Sequence, residues 1–114
     1  MKAVVKSRAN IVPDACPCGW SQRIVTKDDG ASVSFHVVTI KTDSEVHYHK
    51  KMTEIYYILK GNGSIYLDGE ITPISEGSTI IIPPGVRHRA IGELELINVV
   101  SPPFDPSDEY FDGE

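Results

Sequence analysis

The sequence predicts an all-β fold of the jelly-roll type. Three observations predict it. Short runs rich in Val, Ile, Thr and Tyr recur throughout; turn signals built from Gly, Pro, Asn and Asp fall about every eight to twelve residues; and no stretch carries apolar residues at a helical period.

Taken in order, residues 2 to 12 hold enough β-branched residues for an edge strand or an arm, which Pro13-Asp14 ends. Residues 14 to 20 read as a loop, with Trp20 as its anchor against the barrel. Arg23 to Lys27 is a short strand closed by Asp28-Asp29-Gly30. Val33 to Lys41 is a longer one, and Thr42 to Glu45 is a polar turn leading into a His47-Tyr48-His49 strand. From Glu54 to Leu59 the alternation puts Glu54, Tyr56 and Ile58 on one face and Ile55, Tyr57 and Leu59 on the other. Gly61-Asn62-Gly63 reads as a hairpin turn into Ser64 to Leu67, and Asp68-Gly69 as a second hairpin into Glu70 to Ile74. Thr79 to Ile82 follows. After Pro83-Pro84-Gly85, Arg87 to Ile91 is expected to pair back, and Leu94 to Val100 is the last long strand. Pro102, Pro103 and Pro106 stop the tail from continuing a central strand. One helical turn over Ser107-Asp108-Glu109 is expected there, with Phe104, Tyr110 and Phe111 stapling the tail across the barrel or a subunit interface.

At 114 residues the chain is expected to be a single domain, residues 1–114, with an arm or edge strand over 1–13 and a tail over 101–114. A net charge of −5, with scattered Lys and Arg, argues against nucleic-acid and anionic-membrane partners. No apolar run approaches the roughly 20 residues of a membrane span, and the opening Met1-Lys2-Ala3-Val4-Val5-Lys6 lacks the apolar core of a secretion signal, so a cytoplasmic protein is expected. Cys16 and Cys18 flank Pro17. A disulfide at this spacing would be strained and disfavoured in a reducing compartment, so two buried or semi-buried thiols are expected. The alternative is a thiol at the barrel mouth acting as a ligand or redox-sensitive group.

The chemistry concentrates in two stretches. In His47-Tyr48-His49 the two imidazoles lie at i and i+2 of an extended segment, on one face with Cα atoms roughly 6.5 Å apart, so both can reach one ion. Glu54 opens the following strand, and His88 comes three residues after the Pro-Pro-Gly turn. His47, His49, Glu54 and His88 are therefore the candidate metal ligands.

With these residues the chain resembles the cupin superfamily. The family's first motif, G-x5-H-x-H-x4-E-x6-G, is met by His47, His49, Glu54 and Gly61. Its second, G-x5-P-x-G-x2-H-x3-N, is met by Gly77, Pro83, Gly85 and His88. Lys41 replaces the leading glycine and Gly92 the closing asparagine, which puts turn geometry but not the ligand set in question. The resemblance implies a double-stranded β-helix, or jelly-roll barrel, with one divalent transition metal inside. Iron or manganese is favoured, and nickel, zinc or cobalt is compatible with nitrogen and oxygen donors that include no thiolate.

Three imidazoles and one carboxylate fill four positions and leave two open on a six-coordinate ion. The expected function is a metal-dependent enzyme acting on a small organic substrate, foremost a dioxygenase using Fe(II). An isomerase or lyase is the nearest rival, and a non-catalytic small-ligand-binding or sensing module is the reading from another class. Tyr56 is the candidate proton donor or orienting hydroxyl, and His36, on the preceding strand, a candidate substrate-orienting base. Parity points Arg87 and Arg89 outwards and lines a small, mostly apolar pocket with Tyr56, Ile58 and members of Ile80, Ile81 and Ile82, with no inward basic residue. Exposed jelly-roll edges and extended ends predict a homodimer.

Overall fold

A computed structural model describes residues 2–41 and 44–113. Its strands are β1 (Asp14–Cys16), β2 (Gly19–Val25), β3 (Ser34–Ile40), β4 (Thr53–Gly61), β5 (Gly63–Leu67), β6 (Glu70–Ile74), β7 (Thr79–Ile82), β8 (His88–Ile91) and β9 (Leu94–Ser101). They form two antiparallel sheets, ordered β1-β2-β3-β9-β4-β7 and β6-β5-β8. The all-β jelly roll is thus the observed architecture. Among the described residues no helix is long and apolar enough to cross a membrane.

Alternation builds the core. Along β4, Glu54, Tyr56 and Ile58 are buried while Ile55 and Tyr57 are exposed, and along β9, Leu94, Leu96, Asn98 and Val100 are buried. Register joins the strands: Leu96 lies opposite both Val38 and Ile58, so these apolar side chains form one layer. That layer meets Ile65, Ile74 and Ala90 of the smaller sheet. Each fully buried Leu or Ile contributes roughly 1.5–3 kcal/mol. In β7, Ile80 and Ile82 point in and Ile81 points out.

Two connections differ from the expected hairpins. Gly61-Asn62-Gly63 carries the chain from one sheet to the other, since β4 pairs with β7 and β9 while β5 pairs with β6 and β8. Gly61 has φ +100, and a Cβ there would collide with the carbonyl oxygen of Glu93, so this corner requires glycine. β8 lies in the smaller sheet as well, paired with β5 and not back onto β7. The Asp68-Gly69 hairpin forms as expected, with both residues at positive φ, 46° and 94°.

The N-terminal segment is an arm, not a strand. Lys6 Nζ bonds the Ile24 carbonyl at 2.9 Å and Asp29 at 2.7 Å, and Arg8 reaches Gln22 and Glu95. Residues 14 to 20, expected as a loop, instead hold β1, a tight turn and the start of β2. Trp20 is 51% exposed and anchors nothing, because its register opposite Thr39 faces it outwards. In the expected turn over Thr42 to Glu45, Thr42 and Asp43 lie outside the described residues, while the Ser44 hydroxyl bonds the backbone of Ala90.

The tail returns over the barrel. Its one helical turn is a 3-10 turn over Pro106–Asp108, one residue earlier than expected, because the Asp105 carboxylate caps it through the Ser107 N–H. Tyr48 and Tyr110 exchange backbone hydrogen bonds at 3.0 Å and stack their rings.

Candidate metal centre

His47, His49, Glu54 and His88 each offer one ligand atom, and all four atoms lie within 4.8 Å of one another. All four residues are at most 4% exposed. His47 and His49 do not sit in a full strand; isolated bridges, His47 to His88 and Tyr48 to Tyr110, hold the segment. Reciprocal backbone hydrogen bonds between His47 and His88 set their rings 4.3 Å apart, and the Gly85 N–H bonds the His49 carbonyl at 2.7 Å. The glycine after the double proline therefore fixes a candidate ligand on another segment.

The ring nitrogens facing away from the cluster determine what the cluster needs. His47 Nδ1 lies 2.7 Å from the Glu45 carbonyl, His49 Nδ1 2.7 Å from the Asp108 carbonyl, and His88 Nδ1 2.9 Å from the Val86 carbonyl. A carbonyl only accepts, so each Nδ1 carries its proton and each neutral ring turns a bare Nε2 lone pair inwards. His49 Nε2 and His88 Nε2 stand 2.9 and 3.0 Å from Glu54 Oε1, without hydrogen-bond geometry. One proton there satisfies one nitrogen, and a cation satisfies them all. Burial favours a low pKa for His49, but Glu54 overrides it and raises the value, as such a shared proton requires. Burial, reinforced by His88, lowers His47 to about 4 and keeps its lone pair free. Burial alone would raise Glu54, but His49 and His88 hold it well below the usual carboxylate range, so it is ionised. Lone pairs plus a buried carboxylate suit a divalent transition metal.

The protein family described as the Cupin domain matches residues 35–99, which span both histidine segments. The chain belongs to the cupin family. A crystal structure of a protein from Planctomyces limnophilus is 45% identical, with a TM-score of 0.91 over 96% of this chain and 97% of that one. L-ectoine synthase from Teredinibacter turnerae is 32% identical over 106 residues, 87% of this chain and 77% of the relative. The ectoine synthase structure from P. lautus shares the fold, with 23% identity and a TM-score of 0.81 over 98% of this chain and 96% of that one. In this cupin, Gly92 stands where the family has asparagine and has φ +106, a backbone shape glycine adopts without strain.

The chamber beside the four-residue cluster is small, as expected, but polar and charged side chains share its lining with the apolar ones. Ser21, Arg23, His36, Asn98 and Glu109 line it together with Tyr56, Val38 and Phe104. Arg23 is an inward basic residue that parity did not reveal: the strand expected from Arg23 to Lys27 begins earlier, at Gly19, and its pairing with β3 sets Arg23 opposite His36. Arg87 does face outwards, stacked over Tyr48 and paired with Asp112 at 3.0 Å. Asn98 was also missed. Its Nδ2 donates to Glu54 Oε2 at 2.6 Å, and the available signal was a lone amide on the inward parity of an apolar strand. Asp108 was the third omission: its carbonyl orients His49 while its carboxylate accepts from the N–H groups of Lys50, Lys51 and Met52 at 2.9–3.0 Å. Of the tail aromatics expected only to staple, Phe104 instead lines the chamber, edge-on to His36.

Tyr56 faces the chamber with its ring 6.3 Å from that of His88, and burial raises its phenol well above 10, so it keeps its proton at neutral pH. His36 is also inside. Burial and then Arg23 lower its pKa to about 4. The unfolded chain binds a proton on His36 below roughly 6.5 that the folded chain refuses until about 4, so its stabilising contribution is complete above the first value and disappears as pH falls towards the second. The unfolding free-energy difference between wild type and His36→Gln is expected to shrink by about 3 kcal/mol from pH 6.5 to 4, read by denaturant titration at each pH.

Cys16 and Cys18 are joined in a disulfide, contrary to the expected thiols. The β1–β2 turn brings their Cα atoms to 5.1 Å, within bonding range, and both line the chamber wall. Native protein should resist alkylation, and mass spectrometry should find two modified cysteines only after reduction.

Proposed function

We propose that this cupin is a metal-dependent enzyme acting on a small organic substrate by elimination, addition or ring closure without dioxygen. The observation that carries the metal is the convergence of three imidazole lone pairs and one ionised carboxylate in a buried cluster. The L-ectoine synthase relative supports synthase-type over oxidative chemistry. His47, His49, Glu54 and His88 are the ligands, and iron or manganese fits their nitrogen and oxygen donors, with nickel, zinc and cobalt as substitutes. A divalent ion held there supplies Lewis-acid polarisation of a substrate oxygen.

The chain's own groups do the rest. Asn98 pins one Glu54 oxygen and leaves the other for the cluster. Tyr56 offers a retained proton to a leaving or developing oxyanion. The chamber, about 20 Å3, has room for one water-sized group.

The test is an anaerobic incubation of metal-loaded protein with a panel of small hydroxy acids and keto acids, followed by mass spectrometry. Loss or gain of one water is the expected result. Turnover only with oxygen uptake would establish the second reading, a dioxygenase, which the open positions left by four protein donors favour. Saturable binding without turnover under either atmosphere would make the protein a ligand-binding module. The expected homodimer has a surface to use: Ile55, Tyr57 and Ile81 lie exposed on paired strands of the larger sheet. Sedimentation should give a dimer at micromolar concentration, and Ile81→Glu should shift it towards monomer.

A further inference from the structure

A second cavity, about 310 Å3, adjoins the metal chamber, and Arg23, His36 and Phe104 line both. Its other charged residues are Lys27 and Asp28, so with Arg23 it carries two cations against one carboxylate. The inner chamber holds Glu54 and Glu109 beside the shared Arg23, so it is net negative only while no cation is bound. The negative end of an entering anion therefore meets its counter-charges, Lys27 and the shared Arg23, at the outer cavity and its wall with the chamber.

The shared wall is equipped to hold that end. Arg23 lies 4.4 Å over the Phe104 ring and 3.4 Å, through Nε, from the exposed carboxylate of Asp14. Its Nη groups make no hydrogen bond among the described residues, and Glu109 acts on it only electrostatically. His36 is 3% exposed; its Nε2 lies 2.9 Å from Ser34 Oγ, and its Nδ1 is buried without a hydrogen-bond partner. Ser34 decides which nitrogen carries the proton. Its oxygen already accepts from the Phe104 N–H at 2.9 Å, and Ser34 is fully buried, so its own proton goes to His36 Nε2, the acceptor within reach. The remaining proton of the neutral ring is on Nδ1. His36 is thus a fixed N–H donor lacking an acceptor, where the sequence suggested a base. An unpaired buried donor is costly, and it stands beside a guanidinium shaped for bidentate recognition.

We propose that Arg23 and the Nδ1–H of His36 form a carboxylate-binding station at the boundary of the two cavities, which makes the substrate a small organic acid. This rests on the metal-enzyme reading only for the word substrate; the anion site stands on its own residues. A body of a few carbons occupies the outer cavity, and a water-sized group, such as a hydroxyl or a carbonyl oxygen, enters the inner chamber.

Propionate is the probe and propionamide its neutral control, titrated into chelator-treated protein and into zinc-loaded protein and followed by NMR of the arginine Nε–H and imidazole signals. Propionate should saturate a single site at about millimolar concentration in both forms, moving the Arg23 and His36 signals, while propionamide does not bind. Arg23→Gln should weaken binding at least about tenfold and Arg23→Lys less. His36→Phe should weaken it several-fold, and His36→Asn, which keeps an N–H near the same place, should recover most of the loss. Melting temperatures and amide spectra would confirm that each variant is folded. Equal binding of both probes, or unchanged propionate affinity in folded Arg23→Gln, overturns the proposal, as does propionate binding that needs zinc. A protein that takes up no metal yet binds propionate through Arg23 would refute the metal-enzyme reading and leave this site intact. One that takes up metal but ignores Arg23 would do the reverse.

Discussion

Glu54→Gln is expected to weaken divalent-metal binding by more than about a hundredfold, since changes to groups outside the coordination shell alone cost 10–100-fold in metal sites. The substitution keeps shape and burial but removes the single negative charge at the cluster, and it places an amide where the lone pairs of His49 and His88 converge. The Asn98 Nδ2 that donates to Glu54 Oε2 loses a charged acceptor at the same time. Thermal unfolding gives an independent reading. Metal at a hundred times its dissociation constant should stabilise wild type by about 2.7 kcal/mol, and the same concentration should leave the variant's melting temperature unmoved.

Asp108→Ala is expected to destabilise the metal-free protein by about 3 kcal/mol or more. Three backbone N–H groups, those of Lys50, Lys51 and Met52, share this one buried carboxylate, and alanine leaves all three without their acceptor. Met52 is itself 1% exposed, so water does not readily replace the lost partner at that position. The effect spreads to the site, because the Asp108 carbonyl fixes the His49 ring. Metal affinity should therefore fall as well, more weakly than in Glu54→Gln. The sign of the pH dependence follows from the same bonds. Burial opposes ionisation of Asp108, but the three N–H donors overcome it and lower the pKa below the ordinary 3.8. The stabilisation is accordingly complete above that ordinary value and is lost as pH falls through the lower folded one. Denaturant unfolding of wild type and variant should give curves that converge in acid and separate above about pH 4.

The convergence of the four candidate side chains was legible because it depends on short-range geometry. The i, i+2 spacing of His47 and His49, the parity of Glu54 with Tyr56 and Ile58, and the proline-glycine turn before His88 are local features, and the fold uses them as read. Long-range pairing was not legible. Gly61-Asn62-Gly63 has the composition of a hairpin, yet it joins two sheets, and only the close approach of Glu93 separates the two outcomes. Misreading residues 14 to 20 as a loop concealed the register of β2 and with it the inward face of Arg23. Asp108 was hidden for another reason. It sits in a proline-rich tail whose pattern predicts only irregular chain, and its partners lie 56 to 58 residues away.

Anomalous X-ray scattering at the absorption edge of the metal carried by crystals of protein purified without added chelator tests the central claim most directly. One peak at full stoichiometry, at about 2.0–2.2 Å from the Nε2 atoms of His47, His49 and His88 and from a Glu54 oxygen, is the predicted result. A protein that crystallises with those three rings turned so that their Nδ1 atoms face inwards, or with metal bound at some other cluster and none here, would contradict it.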